Sequence, residues 1–242
     1  MPFMRTYSFK EWLGIYLIAP LATLKIIYIA LIQRRDVNPV QNHRPLTGIK
    51  KCSLSKSFSV DLVKKKGKKL GFTINDTIMT VTSISIKQYF ELQGDKKTNY
   101  CTLAIPFSFR PPPKQRGDFV LDNQFASMPY HFDLVSDFKV GVKLIKQGMD
   151  KAKRGWDPIG SWFAIVVTLL QPPFIANLIF TRFSDTVTFV FSNVPGPRTP
   201  IDFAGSESEW LAFLVPGLCN AAAGISIISH VDTIKVGIVA DT

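Results

Sequence analysis

Along this chain the spacing of apolar positions changes period several times. From Trp12 to Ile32 the only strongly polar side chains are Thr23 and Lys25, and a helix of that length measures about 31 Å, roughly one bilayer core. Pro20 and Lys25 interrupt it, so a membrane span, an interfacial helix and a buried core helix all stay open. No A-x-A-like site follows the run, which argues against a cleaved signal peptide. Residues 1–35 are therefore expected to form an apolar, membrane-associated helix. Asn38-Pro39, Arg44-Pro45 and Gly48 mark 36–48 as a linker, and 49–242 as the ordered body.

Within that body Ile49 to Ser57 has strand character, and Phe58 to Leu70 reads as a short helix with a basic end. Thr73 to Gln93 follows helical spacing through Ile74, Ile78, Val81 and Ile84 or Ser85, and Thr73 with Asp76 makes a T-x-x-D capping box. Tyr100 to Phe107 is a continuous apolar run that ends at Arg110-Pro111-Pro112-Pro113, as a buried strand leaving its sheet does. Asn123 to Phe132 reads as a weaker strand. Between Leu134 and Arg154 the residues Phe138, Val142, Ile145 and Met149 define an amphipathic helix with lysines on its other faces. Trp162 to Phe183 is apolar again, but Pro172-Pro173 forces a kink or two helices, and each half is short for a membrane span.

Near the end of the chain the period becomes two. Val187, Phe189 and Phe191 alternate with Thr186, Thr188 and Ser192 in a half-buried strand that runs into Asn193-Val194-Pro195-Gly196-Pro197. Gly224 to His230 and Thr233 to Ala240 read as a hairpin joined at Val231-Asp232, with Ile234, Val236 and Ile238 on one side. Helices mixed with strands of both kinds predict an α/β or α+β sandwich rather than a bundle.

Composition adds a partner class. The 242 residues are 46% apolar, enough for a full core, and carry a net charge of +11. That charge favours anionic surfaces such as phospholipid headgroups or a nucleotide-bearing substrate. No reading motif accompanies it, so nucleic acid is not expected as a partner. Five of the charges, Lys64, Lys65, Lys66, Lys68 and Lys69, crowd one helix end, where a solvated terminus and a phosphate contact are both open. Cys52, Cys101 and Cys219 lack metal-site or disulfide spacing, and Cys101 and Cys219 read as inert buried thiols. His43, His131 and His230 are isolated, so no metal site is expected. His131 with Asp133 or Asp137 is a weak basis for a triad, because triads are defined by geometry. There is no G-x-S-x-G elbow, phosphate-binding glycine loop or dinucleotide fingerprint.

Several segments, taken in order, do carry a resemblance. Arg44-Pro45-Leu46-Thr47-Gly48, Gly71-Phe72-Thr73-Ile74-Asn75-Asp76, Ile105-Pro106-Phe107-Ser108-Phe109-Arg110, Asp122-Asn123-Gln124-Phe125, Ser192-Asn193-Val194-Pro195-Gly196-Pro197 and the closing run through Gly237 to Asp241 resemble the wax ester synthase/diacylglycerol acyltransferase family, in its carboxy-terminal domain. The resemblance implies a chloramphenicol acetyltransferase-like mixed-sheet sandwich of two lobes, this chain supplying the second. Acyl-CoA, as substrate and not as a cofactor, would meet a long-chain alcohol or diacylglycerol in a tunnel between the lobes.

The family's first lobe carries H-H-x-x-x-D-G, whose second histidine is the general base, and no such run occurs here. By this resemblance no catalytic residue is expected in this chain, which would be inactive without an amino-terminal lobe. Asn75, Asp76, Ser192, Asn193 and Gly196 then become substrate-binding candidates. Against this, helix capping already explains Asp76, and a loop stiffened by proline and glycine is an alternative for the second group. Arg110, Asn123, Pro195 and Pro197 are expected to shape loops. The expected location is a membrane surface, the endoplasmic reticulum or a lipid droplet. The rival reading is a non-catalytic membrane-surface or partner-binding protein of the same fold.

Overall fold

In the computed structural model the described residues are 32–108, 125–154 and 157–242, with Leu13, Leu17, Pro20, Leu21, Thr23, Leu24, Ile27 and Tyr28 before them. The body is one seven-stranded mixed sheet with helices on it. Its elements are β1 (Lys50–Leu54), β2 (Phe58–Ser59), α1 (Val60–Lys69), α2 (Ile74–Leu92), β3 (Tyr100–Ser108), β4 (Phe125–Asp133), α3 (Phe138–Arg154), α4 (Asp157–Leu169), α5 (Pro173–Asp185), β5 (Phe189–Val194), β6 (Asp202–Phe203), β7 (Ser206–Glu207), β8 (Ala223–His230) and β9 (Thr233–Asp241). The strand order is β1-β9-β8-β5-β3-β4, with β2 also on β9. β5 lies parallel to both β3 and β8, and the outer pairings are antiparallel.

Side-chain alternation divides the core in two. Leu103, Tyr130, Phe132, Phe189, Phe191, Ile225 and Ile227 form one sheet face and pack under α2 and α3 through Met79, Ile86, Phe90, Ile145 and Met149. Ala104 and Val190 point the other way, against Phe183 of α5 and the partly buried Val215 and Leu218. Burial raises the Tyr130 phenol to about 12, with the Asp133 carboxylate adding to the shift.

The α2 capping box is present. Thr73 Oγ1 accepts from Asp76 N at 3.1 Å, and Asp76 Oδ2 accepts from Thr73 N at 2.9 Å. Its core face is only partly the expected one: Ile74 and Ile78 do pack against the core. Met79, Ser83, Ile86 and Phe90 are buried, whereas Val81 and Ser85 are exposed. Polar groups share the buried side because each finds a partner: Ser83 Oγ donates to Asp133 O at 2.8 Å, and Lys87 Nζ to Thr98 O at 2.8 Å.

The start of the 36–48 segment is a strap bonded to the sheet through Asp36, Asn38 and Gln41, and the part from Asn42 on is mostly exposed. Asp36 Oδ2 accepts from Thr102 N at 2.5 Å and Thr188 Oγ1 at 2.7 Å, while Oδ1 accepts from Thr102 Oγ1 at 3.0 Å. Asn38 Nδ2 donates to Thr188 Oγ1 at 2.8 Å, and Gln41 Nε2 to Val187 O at 2.9 Å. Farther along, Thr47 N and Gly48 N donate to the Asp241 carboxylate, which also meets Lys50 Nζ at 2.9 Å.

The Lys50 hydrogen bond, joined by those from Thr47 and Gly48, holds the Asp241 carboxyl down at about 2. A carboxyl whose folded value lies below its unfolded value, about 3.9, stabilises the fold above that pH. The contribution is lost as pH falls through the folded value. Asp241→Asn should therefore lower the denaturation midpoint at neutral pH, and the gap to the parent chain should close between about pH 4 and pH 2.

Cys101 is buried, and burial with nearby Asp36 raises its thiol well above the usual value. Cys219 is exposed, contrary to the sequence expectation, because it sits with positive φ in the irregular stretch before β8. Pro172-Pro173 separates α4 from α5 as expected. The β6–β7 hairpin has too little apolar pattern to be foreseen.

Candidate substrate cavity

Where β5 emerges from the sheet, a cavity of about 460 Å³ opens between the sheet and the helices, within the usual range for small-ligand sites. Met79 of α2, Met128 of β4, Met149 of α3, Phe191 and Ile227 make its buried floor. Ile78, Ile105, Phe107, Ala152 and Ile234 continue the apolar wall. Half-exposed or exposed Val60, Ile74, Asn75, Asn193, Val194 and Pro195 form its rim. Among the described residues Asn75, Asn193 and Ser229 are the only polar ones in the lining, so the site is a greasy slot with one polar end.

Two sequence motifs meet at that end. Asn193 Nδ2 donates to Asn75 Oδ1 at 3.0 Å. Asn75 Nδ2 is shut off from water and has no hydrogen-bond partner among the described residues. Leaving such a donor unpaired costs about 1–3 kcal/mol, which a ligand oxygen would recover once the Asn75 amide turned toward the cavity.

Asp76, its sequence neighbour, turns away. Its carboxylate serves the capping box and lies 3.8 Å from Lys146 Nζ. Alternation along β5 puts Ser192, buried between Phe191 and Asn193, on the opposite sheet face, and it does not line the cavity. Gly196 is fixed by crowding. Its amide donates to Ser229 Oγ at 3.1 Å, and a Cβ there would stand 1.8 Å from Ser229 O. Pro195 lines the rim, and Pro197 O accepts from Val231 N at 2.9 Å, so the loop is tied to the β8–β9 turn. Arg110 and Asn123 lie outside the described residues.

None of the three described histidines, His43, His131 and His230, lines this space. His131 is exposed, stacked on Tyr100 at 4.4 Å and 3.6 Å from Asp133 Oδ1. His230 is buried, and its Nε2 meets Ser208 Oγ at 2.8 Å on the sheet face away from the cavity.

Residues 121–242 match the family model of the WS/DGAT C-terminal domain, half of the chain. This chain belongs to the WS/DGAT family. An O-acyltransferase WSD from Acinetobacter baylyi is 25% identical over 195 residues, 77% of this chain and 40% of that protein. A wax ester synthase/diacylglycerol acyltransferase from Marinobacter aquaeolei superposes with a TM-score of 0.59 at 19% identity, over 98% of this WS/DGAT chain and 52% of that one. A starter condensation domain of rhizomide synthetase, solved with C8-CoA and Leu-SNAC, superposes with a TM-score of 0.55 at 7% identity, over 92% of this chain and 46% of that one. The fold is therefore the chloramphenicol acetyltransferase-like mixed sheet, and this WS/DGAT chain spans about half the length of such relatives.

Proposed function

We propose that this chain is the carboxy-terminal lobe of an acyl-CoA-dependent O-acyltransferase and that its cavity holds the fatty acyl chain. The observation that carries the reading is the orphan Asn75 Nδ2 at the polar end of an otherwise apolar slot. With the Asn75 amide turned toward the cavity, a thioester carbonyl placed there accepts that hydrogen, and the bond strengthens as negative charge grows on the oxygen during attack. Asn193 holds Asn75 in place as a positioning residue, while Pro195, Gly196 and Pro197 stiffen the rim. The acceptor, a long-chain alcohol or diacylglycerol, attacks the carbonyl carbon through its hydroxyl oxygen. Its proton passes to a base, the C–S bond breaks, and the thiolate of CoA leaves and is protonated.

The base belongs to an amino-terminal lobe that carries H-H-x-x-x-D-G. General-base help contributes about a hundredfold to ten-thousandfold in rate. The 242-residue chain, given palmitoyl-CoA and a long-chain alcohol, should therefore form no measurable ester alone and should form it once such a lobe is supplied. Ester made by the chain alone would contradict the assignment.

A membrane-surface location, at the endoplasmic reticulum or a lipid droplet, fits a pattern of exposure. Leu13, Leu17, Leu21, Leu24, Tyr28 and Ile32 are helical and exposed, and their spacing of three and four places them on one helix face. Leu169, Leu170, Phe174 and Leu178, around the α4–α5 turn, are also exposed. Among the described residues no helix is long and apolar enough to cross a membrane; the exposed apolar faces are what support the interfacial seating we propose. The non-catalytic reading draws on these same faces, and it gains if ester is still absent with both lobes present.

A further inference from the structure

The lysine-rich part of α1 lies beside the rim of the cavity. Val60, the first residue of α1, lines the cavity, and so do Ile74 and Asn75, the first two of α2. Between them the chain doubles back, so the second half of α1 lies on the first turn of α2. Gly67 permits this approach, since a Cβ there would stand 3.0 Å from both Phe72 O and Thr77 Oγ1. Lys64, Lys65, Lys66, Lys68 and Lys69 are all exposed. The helix rise puts Lys69 about 14 Å from Val60.

Among the described residues none of these lysines makes an ion pair. Asp61 lies one turn before Lys64 and Lys65 but forms no ion pair with them among the described residues, and the carboxylate of Asp76 is taken by Thr73 and Lys146. Lys64 with Lys68 and Lys65 with Lys69 are like-charge pairs one turn apart, which repel. A bound polyanion removes that repulsion.

We infer that this face binds clustered phosphates, and that they are those of the CoA nucleotide whose acyl chain occupies the cavity. The inference rests on the acyl-cavity reading. A thioester held at Asn75 leaves the rest of CoA to exit over the rim, beside which α1 lies. Lipid headgroups offer the same phosphate chemistry from another source, so the test has an arm for each.

The 242-residue chain and its Lys64→Gln, Lys65→Gln, Lys68→Gln, Lys69→Gln variant are titrated calorimetrically with palmitate, palmitoyl-CoA and phosphatidylserine vesicles. The sites are exposed, and circular dichroism checks that the variant folds. We expect palmitate affinity to be unchanged and palmitoyl-CoA affinity to fall about tenfold, the combined worth of a few screened surface pairs. The nucleotide 3′,5′-ADP should weaken palmitoyl-CoA binding to the parent chain and have little effect on the variant. Equal palmitoyl-CoA affinity in both proteins, with palmitate still bound, would overturn the lysine assignment and leave the cavity reading intact. Loss of vesicle binding with palmitoyl-CoA affinity unchanged would assign the face to headgroups and overturn it as well. Failure of the parent chain to bind either acyl ligand would instead remove the cavity reading, and this inference with it.

Discussion

Ala152→Trp is expected to weaken palmitate binding by about a hundredfold or more while leaving the fold intact. Ala152 lies on α3, half-buried on the cavity wall, so a larger side chain has the cavity to enter and need not overpack the core. An indole there displaces roughly four methylenes of a bound chain at about 0.8 kcal/mol each, close to 3 kcal/mol in all, where 1.4 kcal/mol is about tenfold. Octanoate, which leaves part of the slot unfilled, should lose much less. Calorimetric titration with both acids decides the matter. An equal loss for both would point to a general disturbance rather than a filled slot.

Asp36→Ala should lower stability by about 2–4 kcal/mol, read as a shift of the urea midpoint with unchanged slope. The substitution strands the Thr102 amide and the Thr102 and Thr188 hydroxyls, all of which now donate to that carboxylate in a buried setting. Asn38 reaches the same Thr188 hydroxyl, so the loss should spread along the strap. Asp36→Asn keeps one acceptor oxygen and should cost less. A midpoint unmoved by Asp36→Ala would mean that the strap contributes nothing to holding the sheet.

Elements whose signal is local were legible in the sequence. Thr73 and Asp76 are three residues apart and announce the start of α2, and Pro172-Pro173 breaks the apolar run where α4 ends and α5 begins. Val142, Ile145 and Met149 repeat on α3 and are buried. Features that depend on partners far along the chain were not legible. Asp36, Asn38 and Gln41 bond to residues 66 to 179 positions away, and a polar segment with two prolines therefore reads as a linker. The buried side of α2 contains Thr80, Ser83 and Lys87, so an apolar count picks Val81 instead.

The candidate site was half legible for a similar reason. Family motifs pointed to Asn75 and Asn193, and the fold brings those two side chains together. The same motifs included Asp76 and Ser192, which helix capping and strand alternation turn away from the cavity. The methionines and Ala152 that shape the slot come from α2, β4 and α3 and share no local pattern. Asp241 and Thr47-Gly48, motifs from opposite ends of the body, prove to be one clamp.

The most direct measurement is photo-crosslinking of the 242-residue chain with a palmitoyl-CoA bearing a diazirine near the methyl end, followed by peptide mass spectrometry. Labelling of Ile78, Met79, Met149 or Ala152, competed away by unlabelled palmitoyl-CoA, is the expected result. Labelling confined to the exposed Leu169, Leu170, Phe174 and Leu178 would place the chain on the outer surface and contradict the assignment of the cavity.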